Sequence, residues 1–207
     1  MGDEYPKFKA ASIYASPVFL DREATTKKAC GLMREAADAG AELVVFPEVF
    51  IPGYPYWIWL DNPNTGRRLF KELFKNSVEV PSKTIERLCE VARETNMYVA
   101  MGINERDGYT LYNTVVFIDR HGHVLGRHRK IEPTQVERTF WGRGNGSDLV
   151  VYDTEIGKIS GLICGNNRID ILRCVLIALG EQIHTAHWPA LSAVSYWGNH
   201  VEFIKVN

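Results

Sequence analysis

Lys158-Ile-Ser-Gly-Leu-Ile-Cys-Gly-Asn-Asn167 runs from an alternating, β-prone stretch into a cysteine and then into residues that break a strand. Lys158 to Ile163 sends alternate side chains toward a sheet interior, and Gly165 permits a tight bend with φ > 0 into a following helix. Cys164 is therefore expected at a strand tip. Two charged residues far upstream occupy comparable settings. Val44, Val45 and Phe46 form a short β-prone run that Pro47 stops, so Glu48 should emerge at a second tip. Val124 to Arg127 reads as a strand with Gly122 in the turn before it, which places Lys130 just past its end. Three tips side by side on one rim would make one site. Taken singly, each residue has a plainer reading: a cysteine after apolar residues is commonly packed and inert, and Glu or Lys near a turn is usually solvated. Taken together, a thiol nucleophile, a carboxylate that moves protons and a fixed cation are the parts of an acyl-transferring hydrolase.

Outward from this stretch, helical and strand signals alternate in the order an α/β layer protein needs. Asp21 caps a helix whose Ala29, Leu32, Met33 and Ala36 share one face, and Gly40 ends it before a strand at Leu43 to Phe46. A second helix uses Leu69, Phe70, Leu73 and Phe74; a third, after Ser82, uses Ile85, Leu88, Cys89 and Ala92. Strands are expected near Met97 to Ile103, Leu111 to Asp119 and His123 to Arg127, with turns at Asp107-Gly108 and His121-Gly122. After Cys164 a helix from about Ile169 to Leu179 ends at Gly180, and Gln182 to Ala186 reads as a further strand. Periodicity alone gives mixed α/β in a single domain spanning residues 1–207, with no repeat or linker.

A 45% hydrophobic, 24% charged chain of formal net charge −1 is that of a globular protein with a sizeable core. Such a balance offers no electrostatic case for nucleic acid or an anionic membrane. No stretch approaches the ~18 consecutive apolar residues of a membrane span, and MGDEYPKFKA lacks the basic-then-apolar order of a signal peptide, so the cytoplasm is expected. Cys30, Cys89, Cys164 and Cys174 have no close-paired spacing, which argues against a zinc site or a disulfide framework. The histidines include the spacings His121-X-His123 and His184-X-X-His187, yet no His or carboxylate set completes a ligand group, so no metal is expected.

FPEVFIPGYPYWIW, then RKIEPTQVERTFWGRGNGSDLVVYDTEIGKISGLIC, then LRCVLIALGEQIH resemble the nitrilase branch of the carbon-nitrogen hydrolase family. The three blocks keep the family's order and approximate spacing, and the likeness runs from about Phe8 to about Trp188. It implies a four-layer α-β-β-α sandwich in one carbon-nitrogen hydrolase domain. It also implies that Cys164 is the nucleophile, Glu48 the general base, Lys130 the stabiliser of the tetrahedral intermediate and Glu137 the second glutamate held near the site. These roles agree with the chemistry. A nitrile carbon is a weak electrophile, suited to a soft, strong sulfur nucleophile. Its thiol must lose a proton near pH 7, which Glu48 can take if burial raises its pKa. An ammonium at Lys130 would favour the thiolate and then the developing anion.

The resemblance implies conversion of an organic nitrile to a carboxylic acid and ammonia, through a thioimidate and a thioester, with water as second substrate and no cofactor. Tyr54, in the aromatic run Tyr54 to Trp59, and Trp188 are the expected walls of the substrate pocket. Two departures stand out. Where the branch has Cys-Trp-Glu-Asn, this chain has Cys164-Gly165-Asn166-Asn167, losing an aromatic wall and a carboxylate. Members of the branch also continue well past the cysteine, so a C-terminal portion is expected to be missing. Sheet edges left uncovered by that loss, and the family's habit of assembling, lead to the expectation of a homo-oligomer. Cyanide hydratase, an amide or carbamoyl hydrolase, and an inactive fragment that acts only by association are the alternative readings.

Overall fold

The computed structural model describes residues 7–60 and 62–189. Its first sheet has the strand order β1-β2-β3-β4-β5, made of Ala10–Ser12, Leu43–Val45, Tyr98–Asp107, Thr110–Ile118 and Val124–Arg129. β1, β2 and β3 run parallel, and β3, β4 and β5 continue as an antiparallel meander. A second sheet orders β6 (Tyr152–Thr154), β7 (Gly157–Ile163) and β8 (Ile183–His187), with β7 and β8 parallel. The helices are α1 (Arg22–Asp38), α2 (Pro63–Lys75), α3 (Lys83–Thr95) and α4 (Asp170–Ala178).

Strand alternation builds four layers. In β2, Val44 turns to one face and packs with Ala29 and Met33 of α1 and with Ile85 and Leu88 of α3, while Leu43 turns to the other. There Leu43 meets Tyr98, Ala100, Val115 and Phe117 of its own sheet and Ile159 and Ile163 of the second. Leu162, one residue from Ile163, faces outward onto Leu172 and Leu176 of α4. The layers are thus α1/α3, sheet, sheet, α4, and a one-residue slip in any strand would exchange its two faces. Helix ends obey local chemistry: Asp21 accepts from the Ala24 N–H at 2.9 Å, and Asn96 takes the left-handed conformation that stops α3.

The elements expected from the sequence are present with shifted ends. β3 runs on to Asp107, past the expected end at Ile103, and β5 to Arg129, past Arg127. β1 and β6, three residues each, are too short to carry a periodic signal. One local expectation fails. The left-handed residue at the nucleophile turn is Cys164 itself (φ 50°), not Gly165. A short 3₁₀ turn over Cys164–Arg168 separates β7 from α4.

His187 ties the sheets together. Its Nδ1–H donates to the Phe46 carbonyl at 2.8 Å, just beyond β2. Full burial, with His128 and His184 nearby, pushes its pKa down to about 4. The imidazole is therefore buried neutral, and the unfolded chain binds the extra proton. Its contribution to stability is complete above about pH 6.5 and is lost as pH falls toward 4, worth roughly 3 kcal/mol across that window. Denaturation midpoints measured from pH 7 to pH 4 should fall more steeply in the parent than in His187→Asn, whose amide keeps the donor but does not titrate.

Candidate active site

Glu48 follows β2 in a loop pressed against β3. A Cβ on Gly102 would overlap the carbonyl oxygen of Pro47, so only glycine admits the loop at this depth. Val49 is held at φ 48°, a strained setting for a β-branched residue, and the Glu48 N–H donates to the Trp188 carbonyl at 3.0 Å. These constraints turn Glu48 inward, where it is 1% exposed. Its Oε1 accepts from Lys130 Nζ at 2.8 Å and from Asn113 Nδ2 at 2.6 Å. Oε2 is buried and has no hydrogen-bond partner among the described residues.

Lys130 is the first residue after β5, and its N–H donates to the Asn113 carbonyl at 2.8 Å. A second bond from Nζ, 2.8 Å long, goes to Glu137 Oε2. Glu137 sits in the 3₁₀ turn Gln135–Thr139 and is satisfied on both oxygens: Oε2 also accepts from the Thr134 N–H (2.6 Å), and Oε1 from the Tyr54 hydroxyl (2.6 Å). Tyr54 in turn accepts from Trp59 Nε1 at 3.1 Å. Val49, Gln135 and Cys164, all non-glycine residues with left-handed backbone, lie beside or at these groups, so backbone strain is stored at the rim.

The electrostatics assign different characters to the two carboxylates. Burial pushes the Glu48 pKa up; Lys130 opposes that and Glu137 adds to it. Burial also works against the Lys130 charge, but Glu48 and Glu137 outweigh it and hold its pKa above the usual lysine value. Lys130 is thus a fixed cation with one hydrogen uncommitted among the described residues. Burial and the Glu48 charge push the Cys164 thiol up to about 12, against the pull of Lys130. The thiol is protonated at rest near neutral pH. Lys130 favours the thiolate, but burial and Glu48 outweigh it, so sulfur gives up its proton as it attacks, and Glu48 Oε2 is the buried basic atom with no hydrogen-bond partner among the described residues.

The departures after Cys164 have defined places. Gly165 has open space around its Cα except for the Thr134 hydroxyl. Asn166 is buried, and its amide grips the backbone of Glu132 from both sides, Nδ2 donating to the carbonyl (2.8 Å) and Oδ1 accepting from the N–H (3.1 Å). It therefore clips the loop carrying Lys130 and Glu137 to the nucleophile turn. A carboxylate could fill only the accepting half of that clip.

Of the residues expected to line the pocket, Tyr54 is 5% exposed with its hydroxyl committed to Glu137, and burial together with Glu137 pushes its pKa well up, so it remains a donor. Trp188 is 40% exposed, its ring 5.6 Å from the Arg168 guanidinium. Sequence reading missed Asn113. The available signal was an asparagine inside a strand otherwise made of β-branched and aromatic residues and one leucine, on the same face as Val115 and Phe117. Among the described residues, no group of three or more His, Cys, Asp or Glu side chains is placed to hold a metal ion, and no helix is long and apolar enough to cross a membrane.

Solved structures share the architecture: an amidase from Nesterenkonia sp. AN1 superposes with a TM-score of 0.68 over 87% of this chain and 66% of its own, at 18% identity. The glutamine-dependent NAD+ synthetase from Acinetobacter baumannii gives 0.67 over 87% of this chain and 32% of its own, at 22% identity. Sequence relatives are nearer. A nitrilase from Bacillus sp. (strain OxB-1) is 43% identical over 185 residues, 89% of this chain and 54% of that protein. A bifunctional nitrilase/nitrile hydratase from Nicotiana tabacum is 44% identical over 204 residues, 95% of this chain and 58% of that protein. The chain thus spans about half the length of the curated relatives it matches. The carbon-nitrogen hydrolase family pattern covers residues 9–204, taking in Glu48, Lys130, Glu137 and Cys164 alike. With the fold, the family pattern and the nitrilase relatives in agreement, the chain belongs to the carbon-nitrogen hydrolase family, on its nitrilase branch.

Proposed function

We propose that the protein hydrolyses an organic nitrile to a carboxylic acid and ammonia, with Cys164 as nucleophile. The observation that carries this reading is the buried Glu48, whose Oε1 is tied to Lys130 and Asn113 while Oε2 has no hydrogen-bond partner among the described residues. Cys164 Sγ attacks the nitrile carbon as its proton passes to Glu48 Oε2, and Glu48 hands that proton on to the nitrogen, which gives the thioimidate and restores the carboxylate. Lys130 donates its uncommitted hydrogen to the charge developing on nitrogen. Glu48 then takes a proton from water as its oxygen adds to carbon; loss of ammonia leaves a thioester. A second water hydrolyses the thioester, so that one nitrile and two waters give one acid and one ammonia. No cofactor enters this balance. Glu137, bonded on both oxygens, positions Lys130, and Tyr54 holds Glu137. Trp188 is the aromatic wall at the entrance. Breakage of the C–S bond of the tetrahedral intermediate before ammonia leaves would release an amide, the outcome suggested by relatives named bifunctional nitrilase/nitrile hydratase.

Two further readings accompany this one. The outer face of α4 exposes Ile171 and Ile177, and Leu179 beyond its end is exposed too, which supports self-association into a homo-oligomer. All four cysteines are free thiols, which suits the cytoplasm. Ammonia and amide release across aliphatic, aromatic and arylacetonitrile substrates tests the activity. Cys164→Ala should lower turnover by about four orders of magnitude while leaving the melting temperature unchanged, since a methyl leaves little cavity at a half-buried strand end. Turnover by Cys164→Ala at the parent's rate would overturn the mechanism.

A further inference from the structure

Behind the nucleophile turn lies a hydrogen-bonded chain that the mechanism above does not use. Asn167 Nδ2 lies 3.1 Å from the Leu162 carbonyl and 3.0 Å from the Cys164 carbonyl. Carbonyl oxygens only accept, so both amide hydrogens are spent there, and Asn167 Oδ1 can only accept in turn. The group facing Oδ1 is His184 Nε2, at 2.8 Å. That nitrogen must therefore carry a hydrogen. The other ring nitrogen, Nδ1, lies 2.8 Å from Glu181 Oε1, a carboxylate whose side chain is only 6% exposed. A carboxylate oxygen requires a donor as well, so the arrangement asks both imidazole nitrogens to donate.

We propose that Glu181, His184 and Asn167 form a positioning chain for the nucleophile: His184 donates from both ring nitrogens, to Glu181 and to Asn167, and so locks the Asn167 amide across the carbonyls of Leu162 and Cys164. What is locked is a backbone in need of it. Cys164 adopts φ 50°, a conformation that a non-glycine residue holds only when its surroundings determine it, and the two carbonyls gripped by Asn167 lie on either side of the Ile163–Cys164 peptide link. The anchors come from separate elements. Glu181 follows α4, His184 is in β8 and Asn167 is in the turn after β7, so the aim of Sγ depends on the docking of α4 and β8. The other titratable groups that sense His184 are His128 and His187, both buried. Each is anchored through Nδ1 on a carbonyl, of Asp148 and of Phe46, so neither competes for Asn167.

The proposal rests on Cys164 being the reactive thiol, and its test separates the two claims by measuring adduct formation without requiring turnover. Purified protein is exposed to acrylamide, and the rates at Cys164 and at exposed Cys174 are followed by peptide mass mapping. His184→Leu should slow Cys164 by about tenfold or more, with Cys174 unchanged, because a misplaced nucleophile loses its alignment. Glu181→Gln should stay within about threefold of the parent: its amide hydrogen can meet Nδ1, leaving the hydrogen on Nε2 and the grip on Asn167 intact. Nitrogen-15 spectra of His184 should show both ring nitrogens protonated in the parent, and only Nε2 in Glu181→Gln. A reactive parent with an equally reactive His184→Leu overturns the proposal alone, as does a parent His184 lacking hydrogen on Nε2. A parent in which Cys164 takes no adduct removes the nucleophile assignment, and this proposal with it.

Discussion

Lys130→Met is expected to abolish turnover and also to destabilise the protein by about 3–5 kcal/mol at pH 8, the range typical of removing one partner from a buried ion pair. Lys130 Nζ is the shared donor to Glu48 and Glu137, and all three side chains are buried. Methionine fills similar volume but leaves two carboxylates facing each other without a cation. Their pKa values in the folded variant would rise above those of the unfolded chain, so the folded state would bind more protons. Stability of the variant should therefore recover as pH falls from 8 toward 5, and the gap to the parent should narrow. Urea denaturation of both proteins at the two pH values checks magnitude and sign together. A constant gap would mean that the loss is one of packing.

Glu48→Gln is expected to lower kcat/KM by about three to four orders of magnitude without loss of stability. The amide oxygen can still accept from Lys130 and Asn113, so the hydrogen bonds of Oε1 survive. What disappears is the proton acceptor at Oε2. The stability outcome follows from the direction of the Glu48 shift: burial raises its folded pKa, so ionised Glu48 costs stability at pH values above that pKa. Gln removes that cost, and the variant should be as stable as the parent at pH 5 and more stable at pH 8. In the parent, kcat/KM should fall on the acid side as Glu48 takes a proton, with a midpoint above the ordinary glutamate range. The residual rate of Glu48→Gln should lack this limb. A variant that keeps the limb would move the base assignment to another group.

Much of this fold is legible from residues whose local choice agrees with the global one. Asp21, Ser82, Gly40 and Gly180 punctuate helices whose apolar positions recur on one face, and proline and glycine bracket strands that alternate. The three strand tips at Glu48, Lys130 and Cys164 could be placed for the same reason. Less legible was everything set by cross-chain approach. Asn113 goes unnoticed in the sequence, and Asn166 reads there as the loss of a carboxylate, because their partners, Glu48 and Glu132, are 65 and 34 positions away. Tyr54 read as a pocket wall because aromatic character is visible in a sequence, whereas the 2.6 Å bond to Glu137, 83 residues on, is not. The left-handed backbone falls on Cys164 and not on Gly165, against local propensity, at a residue whose carbonyl accepts from Asn167 Nδ2, a contact that single-residue propensity does not register.

In the proposed reaction Cys164 forms the covalent bond to the substrate carbon. Mass spectrometry of the protein quenched during turnover of a small nitrile, followed by peptide mapping, tests it most directly. A thioimidate or acyl adduct is expected on the peptide containing Cys164, with Cys30, Cys89 and Cys174 unmodified. Sustained product release with Cys164 unmodified and the adduct on another residue would contradict it.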